Sequence, residues 1–426
     1  MTRAGEIATL TIEKPAAGGR MIARSGGQIV LVSGVIPGEQ ARVRIERIGK
    51  GVAYGRAVSI ETPSPDRRDE MGDPSCGGCL YSYIAYPRQL EIKAQVIADA
   101  FLRIARVPWA SRVEVAASPE AGYRMRARLH VRGGTVGFFR EGSHQVCDAR
   151  ATRQLLSASS DILEAAGASI GALGFAGEGE IELSENVDAS ERVLHFAGAV
   201  TEDPSLIGGL AGTVGLTGLT MAEASRRGQV RAVVLAGDPR VADVLAIDDR
   251  SVTLRRHVLA FFQGNRFLLA ALASHVVGLL ADGESVVDLY AGTGLFSIAA
   301  CVVKQATVTA VEGDPISFED LTLNAAPLGG GVTPVNASVE SFTARTHQPP
   351  GTLIVDPPRT GLSKDALDGV LRLRAAQVIY VSCDVATLAR DARRLIDAGY
   401  ALARLDGFDL FPNTPHVETV AVFRRP

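Results

Sequence analysis

Residues 285–300 read Ser285-Val-Val-Asp-Leu-Tyr-Ala-Gly-Thr-Gly-Leu-Phe-Ser-Ile-Ala-Ala300. An apolar run enters a Gly-x-Gly turn, and a second apolar stretch follows. The pattern is strand, tight turn, helix. Glycines allow the turn and let a ligand approach the backbone. Eighteen residues after Gly294, the run Thr309-Ala-Val-Glu312 ends in a carboxylate. A carboxylate so placed can accept both hydroxyls of a ribose. The third glycine of the dinucleotide fingerprint is missing, and Ser297 stands in its place. The loop therefore suits S-adenosylmethionine better than a dinucleotide.

Two more apolar runs end in reactive chemistry. Leu353-Ile-Val-Asp356 leads into Pro357-Pro358-Arg359, and Gln377-Val-Ile-Tyr-Val381 leads into Ser382-Cys383-Asp384. In open α/β sheets, ligands bind beyond the carboxyl ends of the strands, so the three segments converge on one rim. Two prolines fix the backbone after Asp356, and a rigid loop can hold a carboxylate against a planar base. Most buried cysteines are inert. The place of Cys383 on this rim marks it as a candidate nucleophile, whereas Cys301 falls inside the next predicted helix and reads as core. From about residue 256 the text alternates strands and helices, which predicts a doubly wound, Rossmann-like parallel sheet.

Farther out the patterns change. Glu6–Glu13, Ile29–Val32 and Ala41–Arg47 are β-rich runs punctuated by Gly and Pro-Gly, which predicts a small barrel. Pro63, Pro65 and the charged run after them read as a linker, and Tyr86 to Arg106 has helical periodicity. In Tyr123-Arg-Met-Arg-Ala-Arg-Leu-His-Val-Arg132 the alternation is strict. On a strand it puts Arg124, Arg126, Arg128, His130 and Arg132 on one face and apolar residues on the other. Glycine-rich stretches near 166–178 and 208–218 are expected to be loops. The predicted organisation is an OB-like β-barrel over 1–62, a central α+β domain over 63–255 and the Rossmann-like domain over 256–426.

Composition narrows the class. Of the 426 residues, 46% are hydrophobic, which permits sizeable cores. No apolar run reaches the ~18 residues needed to span a bilayer, and the first residues lack a signal-peptide stretch. A cytoplasmic, monomeric protein with no membrane contact is expected. Net charge is −3, yet residues 1–60 hold nine Lys/Arg against four Asp/Glu. That local excess suits an anionic partner. Five cysteines, two of them in Cys76-Gly-Gly-Cys79, argue against a disulfide framework and for metal or catalytic use.

The segments Asp288–Gly294, Asp356–Arg359, Val381–Asp384 and His416-Val-Glu-Thr-Val-Ala-Val-Phe423 together resemble the RNA uracil-C5 methyltransferases of the TrmA/RumA type. Phe261–Asn265 resembles that family's segment ahead of its catalytic fold, and the N-terminal barrel looks like a TRAM domain. The resemblance covers nearly the whole chain. It implies S-adenosylmethionine-dependent methylation of a uridine in tRNA or rRNA. Cys383 would be the nucleophile and Glu418 the base. Gln263, Tyr290, Gly292, Gly294, Glu312 and Asp356 would bind the cofactor. From the residues alone, Glu418 could equally lie on a solvated edge strand.

Many members of the family hold an iron–sulfur cluster on four cysteines. Here Cys76, Cys79 and the offset Cys147 are the candidate metal ligands, and Glu70 and Thr152 stand where the other two thiols are expected. The arginine face, Arg124, Arg126, Arg128 and Arg132, is the candidate RNA-binding surface, because guanidinium forks suit phosphate. Two alternatives remain open at this stage. Acidic-Pro-Pro loops also serve amino-group methylation of bases, which needs no thiol, and a non-catalytic RNA-binding protein would need neither Cys383 nor Glu418.

Overall fold

The structure is a computed structural model describing residues 3–172, 178–197, 209–212, 215–224 and 230–425. Strands β1 (Ile7–Pro15), β2 (Met21–Ser25), β3 (Gln28–Ser33), β4 (Gln40–Ile48) and β5 (Val52–Thr62) close into a barrel in the order β1-β2-β3-β5-β4. Side chains switch faces at each residue of a strand. On β4 this sends Ala41, Val43 and Ile45 into the barrel core and leaves Arg42 and Arg44 outside.

Helix α1 (Tyr86–Ala100) continues as a wider turn over Phe101–Ala105, so the predicted long helix changes its winding near its end. After β6 (Glu114–Ala116) come β7 (Arg126–Arg132), β8 (Thr135–Phe139), β9 (Val146–Asp148), α2 (Ser157–Ala172), β10 (Glu178–Glu185), β11 (Arg192–Ala197), β12 (Gly218–Ala224) and β13 (Val230–Gly237). The last four strands and β7–β9 form a seven-stranded sheet, ordered β13-β12-β11-β10-β7-β8-β9. Helix α2 runs through much of the glycine-rich stretch expected to be a loop near 166–178, and residues 173–177 lie outside the described residues. In the stretch near 208–218, residues 209–212 form a short 3-10 turn; residues 208, 213 and 214 lie outside the described residues.

A hairpin of β14 (Arg240–Ile247) and β15 (Arg250–His257) precedes α3 (Leu269–Val277). The last part runs β16 (Ser285–Leu289), α4 (Leu295–Lys304), β17 (Thr307–Glu312), α5 (Pro315–Ala325), β18 (Val332–Asn336), α6 (Val339–Arg345), β19 (Thr352–Val355), α7 (Lys364–Leu373), β20 (Gln377–Ser382), α8 (Val385–Asp397), β21 (Ala401–Phe408) and β22 (Glu418–Arg424). The sheet order is β18-β17-β16-β19-β20-β22-β21-β6. Strands β16 to β20 are parallel, and β22 inserts antiparallel between β20 and β21. Every residue of β19 and β20 is buried, as expected of parallel strands covered on both faces.

Packing crosses the borders drawn from sequence. Ile97, Phe101 and Val113, placed with the central segment, belong to the core on one face of the C-terminal sheet. Leu245, Ile247, Val252 and Leu254 of the hairpin belong to the core on the other. Strand β6 pairs with β21 and so covers an edge that would otherwise be open to other chains.

Candidate active site

The order of the parallel strands brings the chemistry together. The ends of β16, β17, β19, β20 and the start of β22 border one cavity of about 820 Å³, lined by Gln263, Tyr290, Gly292, Glu312, Asp356, Arg359, Cys383 and Glu418 among others. The register between β20 and β22 runs from Gln377 opposite Arg424 to Ser382 opposite Thr419. Continued by one residue, it sets Cys383 opposite Glu418. Glu418 is not on an edge strand, and its side chain is only 2% exposed.

Glu312 ties the glycine turn to the end of β17. Glu312 Oε2 accepts the Gly292 N–H at 2.8 Å, and its Oε1 accepts the Asp314 N–H at 2.6 Å. Tyr290 takes a left-handed φ of 62°, which for a bulky residue marks a backbone constrained by its surroundings. Gly294 (φ 98°) does not line the cavity. A Cβ there would come within 2.8 Å of Leu321, so this glycine serves close packing between the turn and α5. Ser297, where the third glycine of the fingerprint would stand, donates its hydroxyl to Asp288 Oδ2 at 2.5 Å. Gln263 Nε2 reaches Asp356 Oδ2 at 3.3 Å. Asp384, beside the nucleophile candidate, turns away: its carboxylate caps α8 by accepting the Thr387 N–H at 2.8 Å.

Burial dominates the electrostatics. It pushes the Cys383 thiol up to about 11, the Glu418 carboxylate adds to the rise, and the Arg359 guanidinium opposes it. Glu418 is held well above the usual carboxylate range by burial and by Asp356. Asp288 and Asp356 are both raised to about 7, chiefly by burial. Burial lowers His416 to about 4, with Arg359 adding to it, so its ring is neutral near pH 7. Buried acids close together cannot all ionise cheaply. A cavity lined by such acids favours a cationic occupant. A sulfonium and an ammonium on one small molecule meet that demand, and Gln263, Tyr290, Gly292, Glu312 and Asp356 fit such a group.

The arginine face differs from the open cationic stripe expected. Strand β10 pairs with β7 and places Glu182 opposite Arg128 and Glu180 opposite His130. Arg126 pairs with Glu182 at 2.9 Å, and Arg128 pairs with Glu180. Arg132 donates to the His144 carbonyl at 3.3 Å. Arg124 donates to Gln154 at 2.8 Å and lies over the rings of Phe138 and Phe411. Arg124 and Arg126 line the cavity, while Arg128 and Arg132 do not. On the barrel, by contrast, Arg42 and Arg44 have no carboxylate partner among the described residues.

The three cysteines of the candidate metal site do not stand as three free thiols. Cys76 and Cys147 are joined to each other in a disulfide. Glu70 is exposed, and the Thr152 hydroxyl donates to the Ala149 carbonyl at 2.7 Å. Burial raises the remaining Cys79 thiol to about 11, with Asp73 adding to it. Among the described residues no group of three or more His, Cys, Asp or Glu is placed to hold a metal ion. A four-iron cluster wants four thiolates, and the residues present do not fit one.

Sequence reasoning did not single out Phe411, which lines the cavity, or Asn413 two residues on. Asn413 has a left-handed φ of 63°. The Pro412-Asn413 pair is a turn signal that could have flagged this loop. The barrel reaches the same loop: a Cβ on Gly19 would sit 2.8 Å from Pro415, so only glycine permits this approach.

Comparison with known proteins agrees with this geometry. Residues 345–425 match the family described as tRNA (Uracil-5-)-methyltransferase, and residues 2–58 match the TRAM domain. The 23S rRNA (uracil(1939)-C(5))-methyltransferase RlmD of Methylococcus capsulatus is 31% identical over 97% of this chain and 96% of its own length. An uncharacterized RNA methyltransferase of Corynebacterium glutamicum is 30% identical over 99% of this chain and 97% of its own. The tRNA (uracil-54, C5)-methyltransferase of Pyrococcus abyssi, solved with S-adenosyl-L-homocysteine, has a TM-score of 0.74 at 23% identity, covering 97% of this chain and 99% of that one. That last likeness shows the fold. The chain belongs to the RNA (uracil-C5-)-methyltransferase family. Among the described residues no helix is long and apolar enough to cross a membrane.

Proposed function

We propose that this enzyme methylates C5 of a uridine in tRNA or rRNA from S-adenosylmethionine, with Cys383 bonding transiently to uracil C6 and Glu418 removing the C5 proton. The observation that carries the reading is the placement of Cys383, one residue past β20, beside Glu418 at the start of the adjacent β22, both lining the cavity that the glycine turn borders. Uracil C5 is a weak nucleophile. A thiolate added at C6 makes the ring an enolate with electron density at C5, so one hard step becomes two easier ones. S-adenosylmethionine, when bound, supplies the electrophilic methyl group that C5 accepts. Glu418 then takes the C5 proton, the C5–C6 double bond re-forms and the thiolate leaves.

Burial and Glu418 hold Cys383 as the thiol. Arg359 favours the thiolate form of Cys383. The raised affinity of Glu418 for a proton makes it a stronger base once ionised. Arg124 and Arg126 at the cavity wall, together with the unpaired Arg42 and Arg44 of the barrel, supply cations for phosphate. A uridine inside a folded RNA must be turned out of its stack to reach the thiol.

RNA carrying 5-fluorouridine tests this reading. Fluorine at C5 cannot leave as a proton, so a denaturant-resistant adduct should accumulate with cofactor present and vanish in Cys383→Ala. Turnover on ordinary RNA by Cys383→Ala would instead favour amino-group methylation of a base.

A further inference from the structure

Cys76, Cys79 and Cys147 do not line the cavity that holds Cys383 and Glu418. Cys76 and Cys147 are 0% and 4% exposed, and their disulfide joins positions 71 residues apart in sequence. The bridge ties the turn around Cys76 to the β8–β9 hairpin. Three main-chain contacts run beside it: an isolated bridge between Cys76 and Arg140, the Gly77 N–H to the Phe139 carbonyl at 3.2 Å, and the Glu141 N–H to the Ser75 carbonyl at 2.7 Å.

From the bridged turn a relay of tight turns leads to the active-site loop. The Cys79 N–H donates to the Cys76 carbonyl, the Ser82 N–H to the Cys79 carbonyl and the Ile84 N–H to the Tyr81 carbonyl, each at 2.9 Å. The same segment grips Asn413 from several sides. The Tyr81 N–H donates to the Asn413 carbonyl at 2.8 Å, and Arg68 donates to Asn413 Oδ1 at 2.8 Å. Gln89 donates to Asn413 Oδ1 and accepts the Asn413 N–H, both at 2.9 Å. Asn413 stands in the left-handed region, five residues before Glu418. An asparagine held there fixes the direction in which the chain enters β22.

We propose that the Cys76–Cys147 disulfide, in place of a metal cluster, is a covalent brace that holds the 67–89 segment against the central sheet and thereby sets the Asn413 loop and the position of Glu418. The link to catalysis rests on the reading of Glu418 as the base; the brace itself does not. Its closure balances with a low-molecular-weight disulfide as oxidant. One cysteine thiolate attacks the reagent and expels a thiolate. The second cysteine then attacks the mixed disulfide and expels another. The two cysteine protons pass to the two released thiolates, and the chain gives up two electrons to the reagent. Once buried, the bridge is out of reach of small thiols, because exchange requires access to sulfur. Cys79 is a weak internal competitor, since its burial favours the thiol over the attacking thiolate.

The test uses the full chain. Alkylation after denaturation without reductant, followed by peptide mass spectrometry, should show Cys76 linked to Cys147 and label on Cys79, Cys301 and Cys383 only. Label on all five cysteines, or stoichiometric iron or zinc in the purified protein, would overturn the proposal. Removal of the bridge by Cys76→Ala with Cys147→Ala should speed amide hydrogen exchange of residues 79–89 and 410–418 by roughly tenfold or more. The thermal midpoint should drop by roughly 5–10 °C, as expected for a long closed loop. Unchanged exchange at 410–418 also sinks the idea. If the double variant does not fold, wild-type protein reduced with a phosphine in mild denaturant and then returned to buffer gives the same comparison. Exchange reads the loop whether or not Glu418 is the base. Faster exchange with unaltered turnover would therefore support the brace and count against the catalytic role.

Discussion

Cys383 stands one step past the Ser382–Thr419 pair, directly opposite Glu418 in the β20–β22 register. Directly opposed residues of an antiparallel pair present their side chains to the same face, at a separation set by the ladder. Glu418 is thus held at the start of a paired strand, and Cys383 follows the last ladder pair by one residue. Glu418 Oε1 has no protein partner, which leaves it available to a substrate.

Glu418→Gln keeps the shape of the site and removes the proposed base. Turnover should fall by about 10² to 10⁴. The covalent adduct should then accumulate even with ordinary uridine RNA, as a gel-shifted species that survives denaturant. Full turnover in this variant would assign the proton to another group.

Glu312→Ala releases the Gly292 and Asp314 N–H groups and removes the proposed ribose acceptor. Affinity for S-adenosylhomocysteine, measured by calorimetry, should weaken roughly 10- to 100-fold, or about 1.4–2.8 kcal/mol. RNA affinity should be unchanged.

Asp288 gives a pH dependence of stability. Its folded-state value is about 7 against an ordinary 3.8, and it is fully buried with Oδ1 unpartnered. Between those values the folded chain keeps a proton that the unfolded chain has lost, so stability falls as pH rises from about 4 to about 7. Asp288→Asn cannot ionise and still accepts from Ser297. It should stabilise the cofactor-free protein at pH 8 by about 1–3 kcal/mol and leave it nearly unchanged at pH 4. Equal effects at both pH values in denaturant titrations would refute this.

Lys93 on α1 and Asp409 beyond β21 form an ion pair at 2.5 Å with exposures of 1% and 0%. Lys93→Met strands the carboxylate and should cost about 3–5 kcal/mol of unfolding free energy, whereas Lys93→Met with Asp409→Leu should recover much of it. A single variant as stable as wild type would show that Asp409 finds another partner.

The acidic row of β10 makes a prediction about RNA. Glu180→Gln with Glu182→Gln frees Arg128 and Arg126 from their partners. RNA binding should tighten, and log affinity against log salt should steepen by roughly one to two units as more counterions are released. Arg126→Glu should do the reverse while cofactor binding survives.

Some of this was legible in the sequence and some was not. Each strand that ends at the rim announces itself as a local apolar run, so Cys383, Asp356 and Glu312 could be placed without coordinates. The two faces of β7 were equally plain from alternation. What alternation could not show is the partner strand: Glu180 and Glu182 lie more than fifty residues away, and only the pairing of β10 with β7 brings them to the arginines. The inner position of β22 is likewise a long-range fact, because nothing in His416–Phe423 says which strands flank it. The cysteines depend on long-range pairing in the same way. Spacing suggested ligands, but the meeting of Cys76 with Cys147 depends on how the linker folds back on the β8–β9 hairpin.

Because β22 is read in steps of two, a shift of one residue against β20 would turn Glu418 to the opposite face and bring Val417 or Thr419 to the thiol. Val381, Val420 and Ala421, which are fully buried in the sheet, help hold that alignment. Substitutions at these positions should therefore be able to silence methyl transfer while leaving a folded, RNA-binding chain. In a mutational survey such positions would score with the chemistry although they lie outside the cavity lining.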